Sequence, residues 1–92
     1  MALVPMPPPP VDIQLQVWVK PLAGGEAAWV AFNRSPRSIM ANVTWAMLGW
    51  GDSQQATLRD LLLHEDLGQF VGGASTLVAP HSVWLVRAKP LP

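Results

Sequence analysis

From Ile13 to Lys20 the chain alternates, with Ile13, Leu15, Val17 and Val19 on one side and Gln14, Gln16, Trp18 and Lys20 on the other. A period of two sets one series against a core and turns the other outward, so the stretch predicts a half-buried β-strand. Pro21 cannot donate to a ladder and is expected to close that strand. Gly24 and Gly25 accept the positive φ angles that a chain reversal needs. The apolar run Ala27 to Phe32, ending in Asn33-Arg34, supplies the returning strand.

The same grammar continues. Ser35-Pro36-Arg37-Ser38 is a turn signal, and Ile39 to Trp45 alternates again, with Ile39, Ala41, Val43 and Trp45 opposed to Met40, Asn42 and Thr44. This predicts a third strand with a polar face. Gly49 to Ser53 reads as a loop holding Trp50. Ala56 to Asp66 reads two ways: a short helix, because Leu58, Leu61, Leu62 and Glu65 fall at helical spacing ahead of Gly68, or a strand over Ala56 to Leu62 with a turn at His64 to Gly68. Short runs separated by turn residues elsewhere argue for an all-β chain, and the strand is the expectation. Gln69 to Val71 is a short run that Gly72-Gly73 ends as a hairpin turn. Thr76 to Ala79 leads to a turn at Pro80-His81. Ser82 to Ala88 then alternates with Val83, Leu85 and Arg87 opposed to Trp84, Val86 and Ala88. It is apolar on both faces, as a central strand is, or one whose outer face another domain covers.

The chain's 92 residues make one domain, with residues 1–11 as a proline-rich linker or disordered tail and 12–92 as the folded part. The tract from Pro5 to Pro10 is expected to be extended polyproline II that does not pair in a sheet, serving as a linker or as a ligand for an aromatic groove. Half of the residues are hydrophobic and five are Trp, so a core forms without cross-links; with no Cys there is no disulfide or thiolate chemistry. Formal net charge is zero with 13% charged residues, which offers no basic field for nucleic acid or anionic lipid. No apolar run reaches the roughly 20 residues of a membrane helix. The N-terminus has neither a basic region nor a continuous apolar one, so no signal peptide is expected.

Candidate chemistry is sparse. The six acidic residues are Asp12, Glu26, Asp52, Asp60, Glu65 and Asp66. A retaining glycosidase needs two carboxylates about 5–5.5 Å apart across a sugar. Glu65 and Asp66 are adjacent in an expected turn and diverge, and Asp60 beside Arg59 is expected to form an ion pair or to accept backbone hydrogen bonds from a turn. His64 and His81 lack metal-ligand spacing, so no metal or cofactor site is expected. No nucleophile elbow or phosphate-binding glycine loop is present. Trp18, Trp50 and Trp84 are candidates for a domain interface or a sugar platform. Asn42-Val43-Thr44 is an N-glycosylation triplet with Asn42 as acceptor, and Asn33-Arg34-Ser35 is a second, disfavoured by Pro36.

The ordered set Val17-Trp18-Val19-Lys20-Pro21-Leu22, then Asn33-Arg34, Trp45 to Gly49, Arg59-Asp60-Leu61, Asp66-Leu67-Gly68 and Pro80-His81 resembles the C-terminal β-sandwich domain of family 27 α-galactosidases and α-N-acetylgalactosaminidases (melibiases). Leu62-Leu63 departs from the Trp-containing stretch usual there. The resemblance implies an antiparallel Greek-key β-sandwich of seven to eight short strands and the strand reading of Ala56 to Leu62. It implies a non-catalytic domain that packs on and stabilises a catalytic (β/α)8 barrel, in cis or in trans, which itself carries the aspartates and meets galactosides. It also implies a secreted, lysosomal or vacuolar setting. The alternative is a free-standing protein-interaction or carbohydrate-binding module on the same fold: an exposed aromatic row would favour sugar, a broad mixed apolar face a protein.

Overall fold

A computed structural model describes Val4, Pro5 and residues 14–92 of the chain. Eight strands are present among the described residues: β1 (Val4–Pro5), β2 (Leu15–Pro21), β3 (Ala27–Asn33), β4 (Ile39–Thr44), β5 (Gln55–Asp60), β6 (Glu65–Val71), β7 (Gly73–Val78) and β8 (Val83–Pro90). They form two antiparallel sheets: six strands in the order β1-β2-β3-β8-β5-β6, and a pair, β4-β7. β8 returns to lie beside β5 after β6 and β7 have intervened, which is a Greek-key connection folded across two sheets.

The opening hairpin follows the sequence rules. Leu15 to Pro21 pair with Asn33 to Ala27, and the strand ends at Pro21. The reversal is a short 3-10 turn in which Gly24 and Gly25 have φ of 73° and 78°, so a side chain there would be strained. Alternation sets the core. Val19, Trp29, Ala31, Ala41, Val43, Trp45, Leu58 and Val86 are buried between the sheets, with Leu15 and Val17 packed against them. Trp29 and Trp45 are fully excluded from water. Each such ring contributes about 4–6 kcal/mol of burial before conformational entropy is counted.

Four expectations are corrected. Pro5 does pair in a sheet: β1 lies along β2 with Val4 opposite Val19 and Pro5 opposite Trp18, an edge position where no ladder donor is required. The remaining tract, with the expectations for Asp12 and Ile13, lies outside the described residues. β4 ends at Thr44 and Trp45 opens a 3-10 turn, Trp45–Leu48, though its ring keeps the inward side that alternation gave it. Ala56 to Asp66 is not a helix, yet the strand stops at Asp60 and the turn is Leu61 to His64, while Glu65 to Gly68 belong to β6. The cause is Asp60, whose Oδ1 accepts hydrogen bonds from the Leu62 and Leu63 amides at 2.9 Å each and so starts the turn three residues early. Gly72-Gly73 is not a hairpin turn. It carries the chain from β6 in one sheet to β7 in the other, and the Trp45 amide donates to the Gly72 carbonyl at 3.0 Å.

Beyond that turn, Leu58 faces Gly68 but Arg59 faces Asp66, leaving Leu67 as an extra residue. This bulge interrupts the outermost strand of the large sheet, a device that discourages edge pairing.

Candidate docking face

The six-stranded sheet has one face on the core and one turned away from it. Outward residues follow from register: Trp18 stands opposite Val30 and Val30 opposite Leu85, while Gln16 stands opposite Phe32 and Phe32 opposite Val83. Two adjacent rows across β2, β3 and β8 are therefore mostly apolar. The Leu61 amide donates to the Leu85 carbonyl at 3.0 Å, placing the Leu61–His64 turn beside the same rows. Phe32 and Val83 are about 40% exposed. Trp18, Val30 and Leu85 are partly buried by their neighbours.

Toward the other end of this face the chemistry changes. Lys20, Ala28, Arg87 and Arg59 lie in register. Arg87 Nε donates to Glu26 Oε1 at 2.6 Å, and Arg59 Nη1 to Asp66 Oδ1 at 2.7 Å; the second pair is largely open to water, whereas the Glu26 carboxylate is mostly covered. With Lys89 and Thr57 these groups line an open polar groove of about 580 Å³. The open Arg59–Asp66 pair holds β5 to β6 only weakly, as exposed pairs do.

The sequence candidates separate. Trp18 lies on the outer face, as its parity required. Trp84 does not: it is buried, edge-on to Trp29 with ring centroids 5.4 Å apart. Trp50 sits in its loop but packs edge-on against Trp45 at 5.3 Å. The three do not make one platform, because β8 is apolar on both faces and parity alone could not say which side met the core. Asn42 is exposed on β4, accepting a hydrogen bond from Ser75 Oγ. Asn33 is fully buried, its Nδ2 donating to the carbonyls of Arg37, Val78 and Ala79 and its Oδ1 accepting from the Ser35 amide. That second triplet is closed to any modifying enzyme acting on the folded chain.

Of the acids among the described residues, Asp60 caps a turn, Glu26 and Asp66 hold arginines, and Asp52 and Glu65 are exposed. His64 and His81 occupy turns with φ of 55° and 53°. Among the described residues no three His, Asp or Glu side chains are placed to hold a metal. The groove and its two cross-strand ion pairs were not read from the sequence, since 59 with 66 and 26 with 87 become neighbours only through strand register. The outer apolar rows did have a signal: the runs in β3 and β8 are apolar at both parities.

Residues 12–88 match the family described as the α-galactosidase C-terminal β-sandwich domain. The chain belongs to that family. Curated relatives agree: a probable α-galactosidase of Dictyostelium discoideum is 30% identical over 77 residues, covering 82% of this chain and 20% of its own. An α-galactosidase of Oryza sativa subsp. japonica is 34% identical over 70 residues, covering 76% and 16%. The chain thus spans a fifth or less of the length of the curated relatives it matches. Among solved structures, a GH27 β-L-arabinopyranosidase from Geobacillus stearothermophilus superposes with a TM-score of 0.78 at 27% identity, covering 88% of this chain and 18% of its own. α-Galactosidase I from Mortierella vinacea gives 0.77 at 22% identity, over 85% and 21%, and supports the fold alone. The two-sheet sandwich described above is thus this chain's form of that family's C-terminal domain.

Proposed function

We propose that this chain acts as the non-catalytic C-terminal domain of an α-galactosidase-like glycoside hydrolase, packing against a catalytic (β/α)8 barrel and stabilising it. The observation that carries this reading is the family match over residues 12–88 in a chain that spans a fifth or less of its enzyme relatives. Release of terminal α-galactose would belong to the whole enzyme, through carboxylates on the barrel. Within this chain Asp60, Glu26 and Asp66 are each tied to a turn or an arginine. A mixed apolar face on which Trp18 and Phe32 stand on different strands and in different rows, among aliphatic groups, favours a protein neighbour over a sugar, which needs aromatic rings presented in a row.

The test joins this chain to the rice relative in place of that enzyme's own C-terminal domain and compares the chimera with the same enzyme truncated before the domain. The expected result is that the isolated chain does not hydrolyse p-nitrophenyl α-galactoside, and that the chimera keeps its activity to a higher temperature than the truncated enzyme. Turnover by the isolated chain, or a chimera no more stable than the truncated form, would overturn the proposal.

A further inference from the structure

We propose that the surface through which this domain docks is the apolar part of the outer face of the six-stranded sheet, centred on Trp18, Val30 and Leu85, and that its occupant is the catalytic domain preceding it in the same polypeptide. This rests on the ancillary-domain reading and adds to it the face and the anchor.

Four observations converge. First, the apolar rows run across three adjacent strands, about 10 Å from the first to the third at the usual strand spacing, and Leu61 extends them. The opposite face of the sandwich is poorer. There Met40 and Leu77 are exposed as one cross-strand pair, flanked by Asn42 opposite Ser75.

Second, the relatives supply an occupant of the right size. β1 runs along the edge of β2 with Pro5 in register with Trp18, so the first described strand flanks the row that Trp18 begins. The family is a C-terminal one, and in the curated relatives about four fifths of the length or more lies outside the matched region.

Third, the layout is that of an interface, with an apolar centre bordered by a polar, wet margin. The groove lined by Glu26, Arg87, Arg59, Asp66 and Lys89 forms the margin on one side. Lys20 and Lys89 have no ion-pair partner among the described residues, so the margin carries unmatched positive charge and suits acidic side chains on the occupant.

Fourth, Trp18 is the largest side chain of the patch, at its β2 end, and its partly buried position leaves less side-chain freedom to lose at docking. Tryptophan is enriched among the few residues that carry most of an interface's binding energy.

Hydroxyl-radical footprinting of the isolated chain and of the chimera described above tests this without altering a residue. The expected result is at least fivefold slower labelling of Trp18 and Phe32 in the chimera, with Met40 and Leu77 unchanged. Protection of Met40 and Leu77 instead would move the docking surface to the small sheet and overturn this inference while leaving the ancillary-domain reading intact. A chimera no more stable than the truncated enzyme would overturn both. As a second readout, Trp18→Ala and Met40→Lys are placed in the chimera. Thermal inactivation at a fixed temperature is expected to be at least tenfold faster for Trp18→Ala and within twofold of the parent for Met40→Lys. Equal effects, or the reverse order, would overturn the assignment.

Discussion

The side chain of Asn33 donates a hydrogen bond to the Val78 carbonyl oxygen at 3.0 Å, joining the end of β3 in the large sheet to the end of β7 in the small one. A sandwich whose second sheet has two strands has few backbone links between its layers, and the apolar core gives attraction without register. Asn33 supplies the register. Its Nδ2 also reaches Arg37 and Ala79, so one amide fixes both the β3–β4 crossover and the β7–β8 return.

Replacing Asn33 should therefore be costly. Asn33→Ala removes the donor from three carbonyls and the acceptor from the Ser35 amide in a fully buried site, and a loss of about 2–4 kcal/mol is expected from unmade buried hydrogen bonds. Asn33→Asp keeps the shape but offers no donor, and should be at least as damaging at neutral pH. Urea unfolding followed by tryptophan fluorescence measures both; a change under about 1 kcal/mol would show that the amide is dispensable.

The two fully buried tryptophans are expected to differ. Trp45 Nε1 donates to the Gln54 carbonyl at 2.6 Å, whereas Trp29 Nε1 is buried with no hydrogen-bond partner among the described residues. Truncation to Phe costs volume at both sites, but at position 29 it also removes an unsatisfied donor, while at 45 it orphans a carbonyl. Trp45→Phe should be more destabilising than Trp29→Phe by about 1–3 kcal/mol. Equal losses in denaturant titrations would mean that volume alone decides.

Much of this architecture was legible because period two leaves a direct trace. Val19 inward, Trp18 outward and the closure at Pro21 follow from alternation and one proline, and the central place of β8 is one of the two readings its doubly apolar run allowed. Two things were hard to place. Asp60 was expected to accept amides from a turn and does so from Leu62 and Leu63, but Leu61-Leu62-Leu63-His64 contains no glycine, proline or asparagine, so the turn was expected too late, at His64 to Gly68. Gly72-Gly73 looks like any tight reversal, and only the pairing of β7 with β4 shows that the second glycine serves a close backbone approach. For the docking face, the sequence marked Trp18 correctly as outward. It could not separate Trp84 from it, because a central strand that is apolar on both sides carries no inward mark.

That close approach yields a paired prediction. A Cβ built on Gly73 would stand 2.5 Å from the Val43 carbonyl oxygen and 3.2 Å from Thr44 Cα, both backbone atoms that cannot swing aside. Gly73→Ala must push β7 off β4, and a cost of about 2–3 kcal/mol is expected. At Gly68 an added Cβ meets nothing within 4 Å, although φ is +97°. Gly68→Ala should then cost only the strain of that backbone conformation, about 1–2 kcal/mol. Thermal unfolding of the two variants gives the order, and a milder Gly73→Ala would mean that the sheet edge has slack.

Asp60 offers the sharpest separation of a structural carboxylate from a chemical one. It is 8% exposed, and its Oδ1 receives two backbone amides from the turn it initiates. Asn at this position retains a side-chain oxygen that can accept both amides, while Ala retains none. Asp60→Asn should stay within about 1 kcal/mol of the parent, and Asp60→Ala should lose about 1–3 kcal/mol as two amides lose their acceptor. In the chimera with the rice enzyme, catalytic turnover at a temperature well below unfolding should be unchanged by Asp60→Asn. A large fall in turnover for Asp60→Asn with stability preserved would contradict the turn-capping role and demand a chemical one, so measuring both quantities on the same preparation decides between them.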